Sequence, residues 1–148
     1  MSEILLLNGP NLNMLGSRER EVYGSITLEK IISDVKHRVA GTGYTVESYQ
    51  SNAEHLLIER VQAARGENRF IIINPGALTH TSIGLRDAFL SVEIPFIEVH
   101  ISNIFAREDF RRRSFLSDIA QGCISGLGVS SYFFAADYAI SWLKENSV

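Results

Sequence analysis

An open, three-layer α/β/α sheet of five parallel strands, flavodoxin-like in order, is the fold class this sequence predicts, and three observations predict it. Short apolar runs alternate along the chain with segments of helical period. The runs are almost continuously hydrophobic, as in strands covered on both faces, instead of alternating apolar with polar. The three least periodic connections, Gly9 to Gly24, Asn74 to Ser82 and the segment beyond His100, all follow strands, where ligands collect in such sheets.

The elements follow in order. Ile4 to Leu7 reads as the first strand, stopped by Asn8-Gly9-Pro10. Thr27 is placed to cap a helix carrying Leu28, Ile31, Ile32, Val35 and Val39 on one face, with Gly41 and Gly43 ending it. Tyr44 to Tyr49 is the second strand, and a helix begins near Ser51 or Asn52 with Leu57, Ile58 and Val61 inward. Phe70 to Ile73 is the third strand, ended by Asn74-Pro75-Gly76, and a helix runs from about Thr81 to Leu90. The fourth strand lies in residues 94–101, a short fifth around Ile124 to Leu127, and the last helix presents Tyr132, Phe133, Ala136, Ile140 and Leu143 on one side. Strand and helix alternate strictly in this reading, with right-handed crossovers.

At 148 residues with 45% hydrophobic content, one domain spanning 1–148 is expected, without repeat, low-complexity tract or linker. A net charge of -3 gives no general attraction to nucleic acid or to an anionic membrane, so neither is expected as a partner. The single cysteine, Cys123, excludes an internal disulfide, and no Cys and His spacing resembles a zinc site, so no metal is expected. The opening MSEILLLNG carries no basic region before its apolar run, and no run reaches the roughly 18 residues of a membrane span, which makes the cytoplasm the expected compartment.

Chemistry concentrates in IPFIEVHISNIFAR, residues 94–107. Ile94, Phe96, Ile97, Val99 and Ile101 form the strand, while Glu98 and His100, two apart, point to one side. Burying both costs several kcal/mol unless they pair, so the arrangement is either a satisfied core histidine on a structural glutamate or an oriented acid. The loop after the first strand is too long for a simple connection and reads as a lid, about residues 17–24, holding Arg18, Arg20 and Tyr23. A guanidinium beside a phenol favours the phenolate, which would make a base, although both residue types are also common in solvated loops. The Asn8-Gly9-Pro10 and Asn74-Pro75-Gly76 turns are placed to cradle an anion, yet neither fits a phosphate-loop pattern. His80, among Thr79, Thr81 and Ser82, is either a helix-cap residue or a donor to a polyol. Arg111, Arg112 and Arg113 read as a solvated helical face with one inward arginine, since no aromatics interleave them as nucleic-acid binding would favour.

Taken together, NGPNLNMLG at 8–16, RE at 18–19, YG at 23–24, INPGALTHTS at 73–82, LRDA at 85–88, IEVHISN at 97–103 and ARE with FR at 106–111 resemble the type II 3-dehydroquinases over nearly the whole chain. The resemblance implies dehydration of 3-dehydroquinate to 3-dehydroshikimate by anti elimination through an enolate, with no cofactor, metal or imine. It implies Tyr23 as proton acceptor, Arg18 as its activator and transition-state stabiliser, Asn11 at a water or the enolate oxygen, and His100 as proton donor oriented by Glu98. It further implies substrate binding by the amides of Ile101 and Ser102 and by Asn74, His80 and Arg111, with Arg107 supporting the lid. Asp87 would reach a neighbouring subunit's site in a trimer, four trimers making a homododecamer. Arg20, Leu78 and Phe105 depart from the family's usual proline, aromatic and histidine, beside the implied site and not within it.

Two other readings stand beside this one. Imine chemistry through lysine is disfavoured, since Lys30, Lys36 and Lys144 all fall on helices away from the strand ends. A non-catalytic flavodoxin-like module binding a small ligand fits the fold equally well.

Overall fold

The structure is a computed structural model that describes residues 2–17 and 19–147, Arg20 by its backbone alone. Five strands form one parallel sheet in the order β2-β1-β3-β4-β5: β1 (Ile4–Asn8), β2 (Val46–Gln50), β3 (Phe70–Asn74), β4 (Phe96–His100) and β5 (Gly122–Ser125). The helices are α1 (Arg20–Tyr23), α2 (Leu28–Val39), α3 (Glu54–Ala63), α4 (Ile83–Val92) and α5 (Ser130–Glu145).

Strand alternation divides the core into two layers. Ile4, Leu6, Phe70, Ile72, Ile97 and Val99 pack beneath α2 and α5, joined by Leu12 and Leu15 from the first loop. Leu5, Leu7, Ile71, Ile73 and Phe96 face α3 and α4, with Leu116 closing that side. All five residues of β1 and of β3 are buried, which is why these runs lack the alternation of half-exposed strands. Each such Leu or Ile contributes about 1.5–3 kcal/mol on leaving water. Thr27 Oγ1 accepts from the Lys30 amide at the start of α2, and Ser82 Oγ accepts from the Leu85 amide at the start of α4.

The order reverses between β1 and β3, whose last residues, Asn8 and Asn74, are register partners. Here the two turns brace each other. The Gly9 amide donates to the Asn74 carbonyl, and a Cβ on Gly9 would lie 2.4 Å from the Pro75 oxygen. Gly76, at φ +58°, approaches the Pro10 oxygen in the same manner. Both amides are committed, Gly76 N–H to Asn74 Oδ1, so these turns serve close backbone packing and not the cradling of an anion.

Three sequence expectations shift. β5 lies two residues earlier than the apolar run suggests, because its pairing with β4 begins at Gly122 opposite Ile97 and ends at Ser125 opposite His100. Gly126 then turns the backbone at φ +89° against Asn103, leaving Leu127 exposed. Strict alternation fails between β4 and β5, where two 3-10 turns, Ile104–Ala106 and Asp109–Arg111, replace a crossover helix. For the same reason Arg111, Arg112 and Arg113 do not share a helical face. The AREDFRRRS segment has no apolar stripe to bury, and its chain is held by non-helical bonds such as Phe115 N–H to the Thr79 carbonyl.

Candidate active site

At the carboxyl ends of β1, β3 and β4 a cleft of about 110 Å³ opens at the switch point. Asn11, Tyr23, Asn74, His80, His100, Ile101, Ser102, Arg107 and Arg111 line its polar parts. Three segments far apart in sequence therefore meet as the parallel topology requires.

The first loop enters through Asn11, held at φ +69°, a conformation asparagine tolerates better than most residues. Its amide donates to Asn52 Oδ1 at 2.9 Å, and Gln50 Nε2 donates to the Gly9 carbonyl at 3.2 Å. The end of β2 thus holds the turn. Twelve residues after Asn11, α1 delivers Tyr23, whose hydroxyl accepts from Arg107 Nη1 at 2.8 Å. The Arg107 guanidinium also lies 5.6 Å from the Tyr23 ring centroid and is flanked by the Glu19 and Glu108 carboxylates at 3.9 and 3.8 Å. Arg18, the activator implied by resemblance, lies outside the described residues. Arg107, read from sequence only as support for the lid, is the guanidinium that reaches Tyr23 among those described.

From β4, Glu98 and His100 project to one side as period two requires, both buried, and His100 Nε2 is hydrogen-bonded to Glu98 Oε2. The carboxylate takes three further donors: Thr79 Oγ1 on Oε2 at 2.6 Å, and Ser114 Oγ and Ser117 Oγ on Oε1 at 2.7 and 2.8 Å. Burial works to raise the Glu98 pKa, but the bond and charge of His100, with the Thr79 and Ser114 hydroxyls, outweigh it and hold the group below its ordinary value. With Nε2 committed to Glu98, Nδ1 is the imidazole nitrogen left for a ligand.

His80 sits across the cleft and donates from Nδ1 to the Arg113 carbonyl at 2.6 Å. Burial lowers its pKa, the Arg113 carbonyl and Glu98 oppose this, and the charges of His100 and Arg111 add to the lowering. A neutral ring bonded through Nδ1 presents Nε2 as an acceptor, so toward a ligand this histidine offers a lone pair. Arg111 is braced by Glu108 at 3.1 Å and by the Phe110 ring. Asn74 donates from Nδ2 to the Tyr132 hydroxyl at 2.8 Å, which donates to Asn8 Oδ1 at 2.6 Å. The Ile101 carbonyl accepts from Gly128 N–H, and the Ser102 carbonyl accepts from Ser125 Oγ. The loop that carries both residues is thereby anchored on β5 and the turn after it.

Among the described residues, Glu98, His100 and Cys123 form one group with metal-ligand chemistry, their donor atoms within 4.8 Å of one another. Glu98 and His100 are already bonded to each other, and burial followed by the Glu98 charge pushes the Cys123 thiol up to about 11. The trio as folded holds protons in the places a cation would need.

A phenol under a guanidinium and an imidazole on a buried carboxylate thus share one cleft above a flavodoxin-like sheet. A model of the family described as dehydroquinase class II matches residues 2–140. The chain belongs to the class II dehydroquinases. It is similar to the 3-dehydroquinate dehydratase of Aeromonas salmonicida, 57% identical over 141 residues that cover 95% of each chain. Its identity with that of Thioalkalivibrio sulfidiphilus is 56% over 147 residues, 99% of this chain and 100% of the relative. Among solved structures, the type II dehydroquinase from Propionibacterium acnes superposes with a TM-score of 0.89 at 38% identity, covering 95% of this chain and 98% of that one. The type II dehydroquinase from Butyrivibrio crossotus gives 0.90 at 43%, covering 92% and 95%.

Within this dehydroquinase, Asp87 stands apart from the cleft, exposed on α4. Sequence reasoning passed over the apolar lining of Pro10, Leu12, Leu15, Ala77 and Ile104, the hydroxyls on Glu98, and the Tyr132 bridge between Asn8 and Asn74. The only sequence signal for the last was a tyrosine in an otherwise apolar helical stripe. Phe105 and Phe110 are exposed, and Leu78 packs into the α3–α4 side of the core. No helix among the described residues is long and apolar enough to cross a membrane.

Proposed function

We propose that this class II dehydroquinase removes water from 3-dehydroquinate to give 3-dehydroshikimate, by anti elimination through an enolate. The observation that carries the reading is the pairing of Tyr23 with Arg107 and of His100 with Glu98 on one cleft. Tyr23, as phenolate, takes the proton alpha to the ketone. Arg18, on a lid of about residues 17–24, and Arg107, from the loop after β4, supply positive charge to the phenolate and to the transition state. Asn11 holds a water or the enolate oxygen. His100, charged and oriented by Glu98, then protonates the departing C1 hydroxyl, which leaves as water while the enolate electrons form the new double bond. The balance is one proton taken, one given and one water released, with neither cofactor nor metal called on.

Binding follows from the same cleft. The amides of Ile101 and Ser102 hold the substrate carboxylate, while Asn74, His80 and Arg111 hold the ring hydroxyls. Asp87, exposed on α4, serves a neighbouring subunit's cleft in a trimer, and four trimers make a homododecamer. The lone domain works in the cytoplasm on a small-molecule substrate. A binding module without turnover would need neither the guanidinium on Tyr23 nor the saturated carboxylate behind His100.

The test is ultraviolet absorbance of the conjugated product when the purified chain meets 3-dehydroquinate, with a parallel sample treated with borohydride and substrate. Absorbance that rises equally in both supports elimination without an imine. No rise from correctly assembled protein moves the weight to the binding module.

A further inference from the structure

We propose that Thr79, Ser114 and Ser117 are positioning residues for the dehydration: they fill the remaining lone pairs of Glu98 with hydroxyl donors, so that the exchangeable proton of the Glu98–His100 pair stays on the imidazole. The inference rests on the reading of His100 as the proton donor.

Proton counting carries the argument. Ser114 Oγ accepts from the Leu116 and Ser117 amides, both at 3.0 Å, which uses both its lone pairs. Its single proton is therefore directed to Glu98 Oε1 at 2.7 Å. Thr79 Oγ1 lies 2.8 Å from Ser114 Oγ, but no lone pair remains there, so its proton goes to Glu98 Oε2 at 2.6 Å. Ser117 adds the third hydroxyl and His100 Nε2 the fourth donor. A carboxylate offers about four lone-pair sites, and all four are taken. A proton arriving on Glu98 would displace one of these donors and leave it facing a hydroxyl inside the protein. The imidazole proton cannot retreat to the carboxylate at low cost, and Nδ1 is left to deliver a proton to the leaving group.

The other titratable groups facing Glu98 are His100 on its own strand, Cys123 on β5 and His80 across the cleft. None supplies the hydroxyl donors. The three hydroxyls also differ in access. Ser114 and Ser117 line a second cleft, together with Cys123, from which water can replace a deleted hydroxyl. Thr79 is fully buried and lines neither cleft.

The experiment measures kcat and KM for 3-dehydroquinate against pH in the parent enzyme, T79V, T79S and S117A. T79V keeps the shape and loses the hydroxyl, T79S keeps the hydroxyl, and S117A leaves the two amide bonds to Ser114 in place. The expected result is a kcat about 10- to 100-fold lower in T79V, a smaller loss in S117A, KM within about threefold, and near-parent turnover in T79S. The alkaline limb of kcat should move down by about one pH unit in T79V, since a Glu98 carboxylate with fewer donors holds the proton on the imidazole less firmly. A T79V profile that overlays the parent's, or an equal loss in T79S, overturns the inference. Absence of turnover in the parent overturns instead the reading on which it rests. If T79V does not assemble, S117A decides through the same limb.

Discussion

Arg107 Nη1 donates to the Tyr23 hydroxyl across 2.8 Å, joining α1 to the loop after β4. The two residues are 84 positions apart, so the contact exists only because the parallel sheet brings both segments to one edge. A phenol that must act as a base gains from this partner in its charged form. Y23F should lower kcat by about 10²- to 10⁴-fold, with KM changed far less. R107A should lower kcat by about 10- to 100-fold, and the double variant should cost less than the product of the two single losses. Strictly multiplicative losses in steady-state assays would show that Arg107 acts elsewhere.

How far was this legible in the sequence? The order of elements was, because β1 and β3 are buried on both faces and α2 repeats its apolar positions cleanly. Glu98 and His100 were legible as a pair because strand period two puts them on one side whatever the fold. The end of β5 was not, since Gly126 stops the strand through contact with Asn103, a neighbour invisible locally. Nor was the contact of Arg107 with Tyr23, because nothing local joins two residues 84 positions apart. The hydroxyls on Glu98 come from three segments, and serine or threonine is common wherever a loop must satisfy its own amides.

Glu98 also ties activity to stability. It is fully buried with four donors aimed at it. In E98Q an amide N–H₂ replaces one acceptor and faces donors, so the variant should lose about 2–4 kcal/mol of stability in urea and most of its turnover. The sign of the pH effect follows from the lowered pKa of Glu98 in the folded state. Its stabilising contribution is present above the ordinary carboxylate range and is lost as pH falls from there toward the folded value. Denaturation followed from neutral pH down to about 3 should therefore show a steeper loss in the parent than in E98Q. Parallel curves would argue that acid unfolding starts elsewhere.

His80 behaves differently, because its lowered pKa belongs to a base. The unfolded chain takes up this proton first, so stability from the neutral ring is present above the ordinary histidine range and declines as pH falls through it. Proton NMR of the imidazole should give a midpoint below about 6.5. KM should hold steady around neutrality and rise once the ring charges, because Nε2 then changes from acceptor to donor. A midpoint above the ordinary value would remove the acceptor role.

Tyr132 connects α5 to the switch point. Its hydroxyl takes a hydrogen bond from Asn74 and gives one to Asn8, and burial pushes its pKa up, so it stays neutral with one proton to give. Asn8 Nδ2 finds no partner among the described residues, so the asparagine depends on Tyr132 for its bonded side. Y132F should cost about 2 kcal/mol, a fall in Tm of about 4–8 °C, and should raise KM as Asn74 loses its fixed orientation. An unchanged KM with a lowered Tm would confine Tyr132 to the core.

The glycines at the switch point carry the sharpest steric prediction. A methyl group on Gly9 would meet the Pro75 oxygen at 2.4 Å and its carbonyl carbon at 2.7 Å. Both belong to backbone that also fixes Asn74, so relief requires the β1 and β3 turns to part and the Gly9 to Asn74 bond, 2.8 Å long, to stretch. G9A should cost about 2–4 kcal/mol, as overpacking against backbone does. Gly76 meets the Pro10 oxygen at 2.9 Å with a positive φ besides, so G76A should cost a similar amount. Gly41 faces open space, which makes G41A the matched control, expected within about 0.5 kcal/mol of the parent. Urea midpoints for the three variants decide the matter. Because the same turns present Asn11 and Asn74 to the cleft, G9A should also lose turnover more steeply than its remaining folded fraction explains, whereas activity tracking that fraction would mean the cleft tolerates a shift of its own floor.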